Sequence, residues 1–507
     1  MKRFLIFTHR WLGVALCLLF LIWFPSGIGM MYWDFPSVTP ADRIERMPAL
    51  TPASIVLSPA EAAARAGIES PGDVRLNSFD GRPVYRFRAT GGDAIVYADT
   101  GEEQIDVPRE MRDRAAARWS SQPIAAAAIG EVTDVDQWTV QSGLRNLRPL
   151  WKYSWPDGQQ VYVAGTTGEV VQYTTTASRW GAYVGAIPHW LYFTPLRRHQ
   201  AQWSAFVIWT SAVGTIAAIL GIVVGVWMYS PAKRYRHRGA ATAIPYRGQK
   251  RLHMIFGLIF GVGAATWAFS GMLSMDPFPA RSPRPAPGVA RRGGGLAQAL
   301  RTRPRLDAFA GKHPREALTE LAGLDVRELE LTSFAGAPVY FATLGGGDVR
   351  VVPVSGPPQL GFDTYRVMQA VRQAAASAGG ADVELIDHYD AYYLDRHFRK
   401  PLPVLVARLH DEDRTRYYVD PRTARVVGSY SARGWMSRWL YHGLHSLDFP
   451  WLYAYRPLWD IVVITFMVGG TVLAFTSLVL AWRVLGRTLA RGFTAAPDAD
   501  DLQFVVE

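Results

Sequence analysis

The sequence contains a single cysteine, Cys17, which lies inside a long apolar run. One cysteine cannot form an intrachain disulfide, and no Cys-x-x-Cys-His motif for covalent haem attachment is present. Iron–sulfur clusters, which several thiolates hold, are also excluded. A metal or cofactor bound by side chains must therefore be held by His, Asp, Glu, Tyr or Met.

Acidic residues are missing from the segment that links the second and third apolar runs, and basic residues collect there and at both ends of the chain. The segment 230–251 has seven Lys or Arg and no acid, Lys2 and Arg3 open the chain, and Arg483, Arg487 and Arg491 follow the last run. The positive-inside rule places all three regions in the cytoplasm. We therefore interpret the net charge of +11 as a mark of membrane topology and predict no nucleic-acid partner.

Long apolar runs account for much of the 49% hydrophobic content. A bilayer-spanning helix needs about 20 apolar residues, and four runs satisfy this: Phe4–Trp33, Trp203–Tyr229, Leu252–Met275 and Leu458–Leu485. The remaining residues form two polar blocks, about 37–202 and 276–457, each large enough to fold alone. Because both follow a span that starts inside, both blocks are expected in the periplasm of a bacterial inner-membrane protein.

The sequence indicates an internal duplication. Residues 9–27, "HRWLGVALCLLFLIWFPSG", align with 253–271, "HMIFGLIFGVGAATWAFSG", and 76–85 align with 331–340. Further along, 189–203 align with 445–459. Each half is therefore span, external block, span, and the halves should be parallel repeats related by an axis along the membrane normal.

These patterns predict a membrane α-helical core of four transmembrane helices, in two parallel repeats, with two α+β periplasmic domains. The predicted boundaries are 1–36 for the first span, 37–188 for the first external domain, 189–230 for an interfacial segment and second span, 231–251 for a basic cytoplasmic loop, 252–278 for the third span, 279–440 for the second external domain, 441–487 for an interfacial segment and fourth span, and 488–507 for a cytoplasmic tail.

Two histidines of the first half align with histidines of the second half, which gives two pairs. We call His9 and His253 the inner pair, since they lie near the cytoplasmic ends of the first and third spans, and His189 and His445 the outer pair, since they precede the second and fourth spans. A two-fold axis places the members of each pair at equal depth, facing each other. Opposed imidazoles suit axial ligation of b-type haem, so we predict two haems; the alternative is a simple hydrogen bond to a neighbour.

A stripe of small and aromatic residues accompanies the histidines along one helix face. It contains Gly13, Trp23 and Gly27 after His9, and Gly257, Trp267 and Gly271 after His253. Glycine would let a flat macrocycle approach the backbone, and the second glycine of each span lies about 27 Å from the histidine, near the outer pair. The tryptophans would pack between two cofactors. Small-residue stripes also serve ordinary helix packing.

Other polar residues lie near the same levels. Arg10 and Arg251 flank the inner pair, and Arg197, Arg198 and Arg456 lie near the outer pair. They could pair with haem propionates or extend to the membrane interface. His442, one turn before His445, is the rival outer ligand, but it has no histidine at the equivalent position of the first half, where Ala186 stands.

A family resemblance is carried by five stretches: HRWLG, PHWLYFTPLR, DHYDAYYLDRHFRKPLPVL, YYVDPRTARVVG and WLYHGLHSLDFPWLYAYRPLWD. They resemble the PepSY-associated transmembrane family, which includes iron-regulated inner-membrane proteins and siderophore reductases. The resemblance implies PepSY-like periplasmic domains, a four-helix core that carries haem b, and His9, His189, His253 and His445 as ligands. The histidine at position 442 is less typical of the family, so His442 remains an alternative to His445 as the outer ligand.

The resemblance implies a haem-dependent reductase of the ferric-siderophore type, which would pass electrons outward to a periplasmic ferric chelate or redox protein docked near Tyr32, Trp33 and Asp34. Some relatives carry a fused flavin reductase domain, but the short cytoplasmic segments here contain no nucleotide-binding motif. The donor would be a cytoplasmic flavoprotein or quinol, and lipid surrounds the core. Two alternatives remain: a transporter, and a membrane-anchored PepSY binding or regulatory protein without redox activity.

Overall fold

The computed structural model describes residues 1–89, 92–237, 239–277, 294–303 and 305–492. Four long helices cover the apolar runs: Lys2–Tyr32, Gln200–Met228, Gly248–Leu273 and Leu458–Gly492. Each is long and apolar enough to cross a membrane, which confirms the four predicted spans. Parts of the predicted domain 279–440 and tail 488–507 lie outside the described residues.

The four spans form a bundle in which the first packs against the second and fourth, and the third packs against the second and fourth. Glycines let aromatic rings enter this interface. A Cβ added to Gly469 would lie 2.5 Å from the Phe260 ring, and one added to Gly470 would lie 2.5 Å from the Phe24 ring. Part of the small-residue pattern therefore serves helix packing, as expected for membrane bundles.

One antiparallel sheet joins the two β-rich blocks. Its strands, in spatial order, are Val349–Pro353, Ala337–Leu344, Val326–Phe334, Asp73–Phe79, Arg82–Ala89 and Gly92–Tyr97, with Arg301–Thr302 paired to Val326–Phe334. The central contact pairs Val74 with Leu331 across the two blocks. The blocks therefore share a sheet and an apolar core, although each is large enough to fold alone. The shared sheet also places both blocks at the same end of the helical bundle.

Each block also has a four-stranded antiparallel sheet of its own. The first contains Ala128–Val132, Leu150–Ser154, Gln160–Ala164 and Val170–Thr174; the second contains Ala381–Ile386, Val404–Leu409, Arg416–Val419 and Val426–Tyr430. A short hairpin, Tyr235–His237 with Ala240–Thr242, lies between the second and third spans. These sheets confirm the α+β character predicted for the blocks.

Short helices complete the blocks. In the first they are Pro40–Arg46, Pro59–Arg65, Arg109–Ala117, Thr176–Val184, Ala186–Trp190 and Thr194–Arg197; in the second they are Gly294–Leu300, Pro314–Thr319, Thr364–Ala375, a π-helix over Met436–Gly443, Leu444–Ser446 and Pro450–Tyr453. Several starts follow from side-chain caps: the Ser58 hydroxyl accepts a hydrogen bond from the Glu61 backbone N–H. The last three helices before the second span and the last three before the fourth connect the sheets to the bundle and carry the outer histidines.

Candidate functional site

The inner pair lies between the spans. The ring centres of His9 and His253 are 6.1 Å apart. The His9 Nδ1 donates to the Ala217 carbonyl of the second span at 3.0 Å. The His253 Nδ1 lies 3.2 Å from the Thr476 hydroxyl, on the fourth span.

The outer pair repeats this geometry at the sheet end of the bundle. The ring centres of His189 and His445 are 6.0 Å apart. The His189 Nδ1 lies 3.2 Å from the Ser26 hydroxyl on the first span, and the His445 Nδ1 lies 3.0 Å from the Ser270 hydroxyl on the third span. Both histidines lie outside the spans, and burial lowers the pKa of His189 to about 4 and that of His445 to about 3. Both imidazoles are therefore neutral near pH 7, as metal ligation requires.

All four histidines use Nδ1 for a hydrogen bond, and within the described part of the chain none uses Nε2. A partner on one ring nitrogen fixes the tautomer and orientation of a ligating imidazole and leaves the other nitrogen for the metal. Two opposed imidazoles with metal–nitrogen bonds of about 2 Å each have ring centres about 6 Å apart. Both measured separations match this value, so the residues present fit bis-histidine ligation at two levels.

The donor set suits haem better than a bare metal ion. Within the described ranges, no group of three or more His, Cys, Asp or Glu side chains comes together as a metal site. A protein-only transition-metal site usually needs three or four such ligands. A haem needs only axial ligands from the protein, and each pair supplies two.

The four predicted glycines differ in their surroundings. A Cβ added at Gly13 would meet nothing within 4 Å, and one at Gly257 would meet only Leu473, at 3.8 Å. These positions leave room beside the inner pair. By contrast, a Cβ added at Gly271 would lie 3.6 Å from the His445 ring, and one added at Gly27 would lie 2.9 Å from the Met467 sulfur and 3.6 Å from the His189 ring. Gly27 therefore serves helix packing in addition to any approach by a cofactor.

A cavity of about 410 Å³ opens beside the outer pair. Ligand pockets usually measure about 300–1,000 Å³. Both predicted tryptophans line it, together with Trp203 and Tyr441, so aromatic side chains form much of the wall. The Trp267 indole also donates to the His445 carbonyl at 2.9 Å, which fixes the backbone of one outer histidine.

The predicted arginines have other partners. Arg10 is exposed and lies over the rings of Phe7 and Trp11, and Arg198 forms an ion pair with Asp134 at 3.1 Å. Arg197 is only 3% exposed. Its guanidinium lies over the rings of Tyr192 and Trp203, two residues of the outer cavity wall.

Sequence reasoning missed a polar group behind the outer pair. Asp448 accepts a hydrogen bond from the Tyr453 hydroxyl, and burial raises the pKa of its carboxyl. His442 lies 3.8 Å from Asp448 and its side chain is 49% exposed. Tyr441 contacts the rings of both His442 and His445. The π-helix that carries His442 and Tyr441 has no simple sequence signal, so these contacts could not be foreseen.

Comparison with known families adds one match. The model of the PepSY-associated TM region family matches residues 7–340, well over half of the chain. The matched range contains His9, His189 and His253 and ends before His445. None of the curated proteins compared with the chain matches it. The match confirms the resemblance stated from the sequence: the chain belongs to the PepSY-associated TM region family.

Proposed function

We propose that this protein is a di-haem b electron-transfer protein of the bacterial inner membrane, which reduces a periplasmic ferric siderophore or another iron chelate. One observation supports it above all others: two histidine pairs at opposite ends of the bundle have nearly the same ring separation, 6.1 Å and 6.0 Å. All four Nδ1 atoms have partners within the chain. A helical anchor has no need of two such pairs.

The orientation in the membrane is part of the proposal. The hairpin between the second and third spans lies in the basic segment, which favours the cytoplasmic side. The two blocks, joined by one sheet, would then lie in the periplasm. The first and last described residues, Met1 and Gly492, would lie on the cytoplasmic side. We also propose that the two halves arose by duplication, since both contain the same order of helices, strands and spans.

The chain's own residues would perform four tasks. His9 with His253, and His189 with His445, would hold a haem at each level, and bound haem would supply a one-electron carrier there. The Nδ1 partners would keep each imidazole in the tautomer that presents Nε2. Gly13 and Gly257 leave room beside the inner pair. The aromatic wall of the outer cavity would exclude water, and a drier surrounding shifts the potential of a bound redox group.

The partners follow from the topology. The donor would be a cytoplasmic flavoprotein or quinol, acting at the inner pair. The acceptor would approach the outer pair beside Tyr32 and Trp33, which are 55% and 50% exposed. Asp34, in the same stretch, forms an ion pair with Arg396 of the second block at 3.3 Å, so this approach surface contains both halves of the chain.

The absorption spectrum of the purified full-length protein tests the proposal. Protein from haem-replete cells should show the spectrum of low-spin haem b, with two haems per chain. Acid–acetone should extract the pigment, because Cys17 alone cannot make the thioether links of covalent haem. A colourless preparation would refute the proposal and leave the transporter or the non-redox binding protein as the function.

A further inference from the structure

A second cavity lies in the first block, and none of the four paired histidines lines it. It is bounded by the helix Pro40–Arg46, the turn after the strand Asp73–Phe79, the helix Arg109–Ala117 and the start of the strand Val170–Thr174. Its volume is about 60 Å³. About 10–15 Å³ on the same measure holds one water molecule, so the cavity accommodates a group the size of a phosphate or carboxylate.

Positive charge exceeds negative charge in this cavity. Arg43, Arg46, Arg86 and Arg118 line it, with Asp80 and Glu169 as the acids. Each acid is already shared by two arginines. Glu169 pairs with Arg43 at 3.2 Å and with Arg86, while Asp80 pairs with Arg118 at 3.7 Å and with Arg114, outside the lining, at 2.5 Å.

Arg46 differs from the other three lining arginines in its polar contacts. Among the described residues it has no carboxylate partner; it donates to the Asp42 carbonyl at 3.3 Å. Its guanidinium lies 4.2 Å from the centre of the Trp119 ring, a stacking that fixes its plane while its remaining N–H groups stay available. Arg118, with its ion pair at 3.7 Å, also retains donors. The side chains of Arg43, Arg86 and Arg118 are 33%, 21% and 32% exposed, so solutes reach the cavity.

The equivalent region of the second half can be compared with this cavity. The turns Asp80-Gly81 and Ala335-Gly336 both adopt positive φ, at 49° and 82° and at 48° and 82°, so they occupy equivalent places. Counted from these turns, Phe341 stands where Arg86 stands in the first half.

Apolar rings fill the space in the second half. Phe334 and Phe341 are both 0% exposed, and both pack against Phe362, with ring centres 4.1 Å and 5.8 Å away. The first half therefore has an arginine, Arg86, where the second half has a buried phenylalanine ring, over which Arg301 and Arg425 lie as they pair with Glu330. Partly desolvated cations without enough acids are costly, and an anionic ligand offsets that cost.

We infer that this arginine cleft binds a small oxyanion, a carboxylate or a phosphate group, with Arg46 and Arg118 as its main donors and Trp119 as the platform that orients Arg46. Guanidinium groups suit both oxyanions because they donate two parallel hydrogen bonds. The inference stands independently of the haem proposal, since the cleft uses none of its residues.

Calorimetric titration of the detergent-solubilised full chain tests the inference, with inorganic phosphate and citrate as separate probes at low ionic strength. At least one should bind, and added salt should weaken it. Whichever probe binds identifies the oxyanion. Arg46→Gln and Arg118→Gln should each lower the affinity about tenfold or more, since each removes charge-assisted hydrogen bonds. Absence of heat with both probes overturns the inference.

Controls separate binding from folding and from haem content. Arg305→Gln removes an exposed arginine whose carboxylate partner among the described residues is nearby Asp307, and it should leave the affinity unchanged. If Arg46→Gln lowers the melting temperature without ligand, Arg46→Lys keeps the charge and should give an intermediate affinity. Equal affinity in wild type and all cleft variants also overturns the inference. All variants should retain wild-type haem content. Failure of the oxyanion inference would appear in the affinities, whereas failure of the haem proposal would appear in the haem content.

Discussion

The inner and outer histidine pairs have almost the same ring separation but different supports. His9 and His253 lie on long spans, and their Nδ1 partners lie on the other two spans. His189 and His445 lie on helices of five and three residues, and their partners lie on the first and third spans. The inner pair is therefore fixed by the bundle alone. The outer pair depends in addition on the interfacial helices, which the folded blocks hold.

The two spans of each half support the histidines of that half in the same arrangement. In each half, one span carries the inner histidine and also anchors the outer one, while the other span anchors the inner histidine. Every Nδ1 contact stays within its own half, yet each pair is formed between halves. Each half can therefore orient its two imidazoles, but only the assembled bundle brings them opposite each other.

The largest expected effect comes from removing one member of a pair. His9→Ala and His253→Ala should give the same result, the loss of about one haem of two, because either change leaves the same site with one ligand. His189→Ala and His445→Ala should also match each other but remove the other haem. Haem-to-protein ratio and electron paramagnetic resonance of the purified variants measure this.

His388→Ala is the control, since the His388 side chain is 71% exposed and should not affect haem content. If His9→Ala and His253→Ala give different spectra, or if either retains two haems, the pairing between halves is wrong.

A smaller effect is expected from the Nδ1 partners. Ser270→Ala removes the hydroxyl 3.0 Å from the His445 Nδ1, and loss of such a partner typically lowers metal affinity about 10–100-fold. The comparison variant is Ser274→Ala, one turn further along the same helix, where the hydroxyl bonds the Gly271 carbonyl instead. Haem dissociation rates to an excess of apo-acceptor protein should rise for Ser270→Ala and stay unchanged for Ser274→Ala. Equal rates would show that this contact does not support the ligand.

The inner pair can be perturbed by packing alone. A Cβ at Gly221 would lie 2.6 Å from the His9 ring, so Gly221→Ala must displace that imidazole, at a cost of about 1–3 kcal/mol. Gly225→Ala, one turn away, would meet only the flexible Leu258 side chain at 3.2 Å. We expect the low-spin signal of the inner haem to weaken in the first variant and persist in the second. A normal inner signal in Gly221→Ala would mean that His9 can ligate from a shifted position or is not a ligand.

The spans and the histidine pairs could be predicted because both leave periodic or repeated signals. Apolar runs of this length have few alternatives to a membrane helix, and duplication marked which histidines to compare. The shared sheet could not be predicted: Val74 pairs with Leu331 through backbone groups, and nothing local in either strand specifies its partner. The same reason hid the Ala217 carbonyl as the acceptor for His9, since a backbone contact does not depend on the residue type.

The charged residues show another limit of sequence reasoning. From its position beside the outer histidine, Arg198 could pair with a haem propionate or extend to the membrane interface; in the structure it forms an ion pair with Asp134, more than sixty residues earlier in the chain. Arg197, its neighbour, is the buried one. Adjacent residues on a short helix point in different directions, and only the packed structure tells which of the two faces the core.

The smallest expected effect concerns His442, the rival outer ligand, and it separates the two interfacial histidines most sharply. His442 and His445 are one turn apart, yet only His445 lies opposite His189, with ring centres 6.0 Å apart. The His442 side chain is about half exposed and lies toward Asp448. We therefore expect His442→Ala to retain both haems and change the outer haem spectrum only slightly, through Tyr441, which contacts both rings. His445→Ala is the matched comparison and should lose the outer haem. Loss of that haem in His442→Ala, with retention in His445→Ala, would make His442 the ligand and would break the equivalence between the two halves on which the outer pair rests.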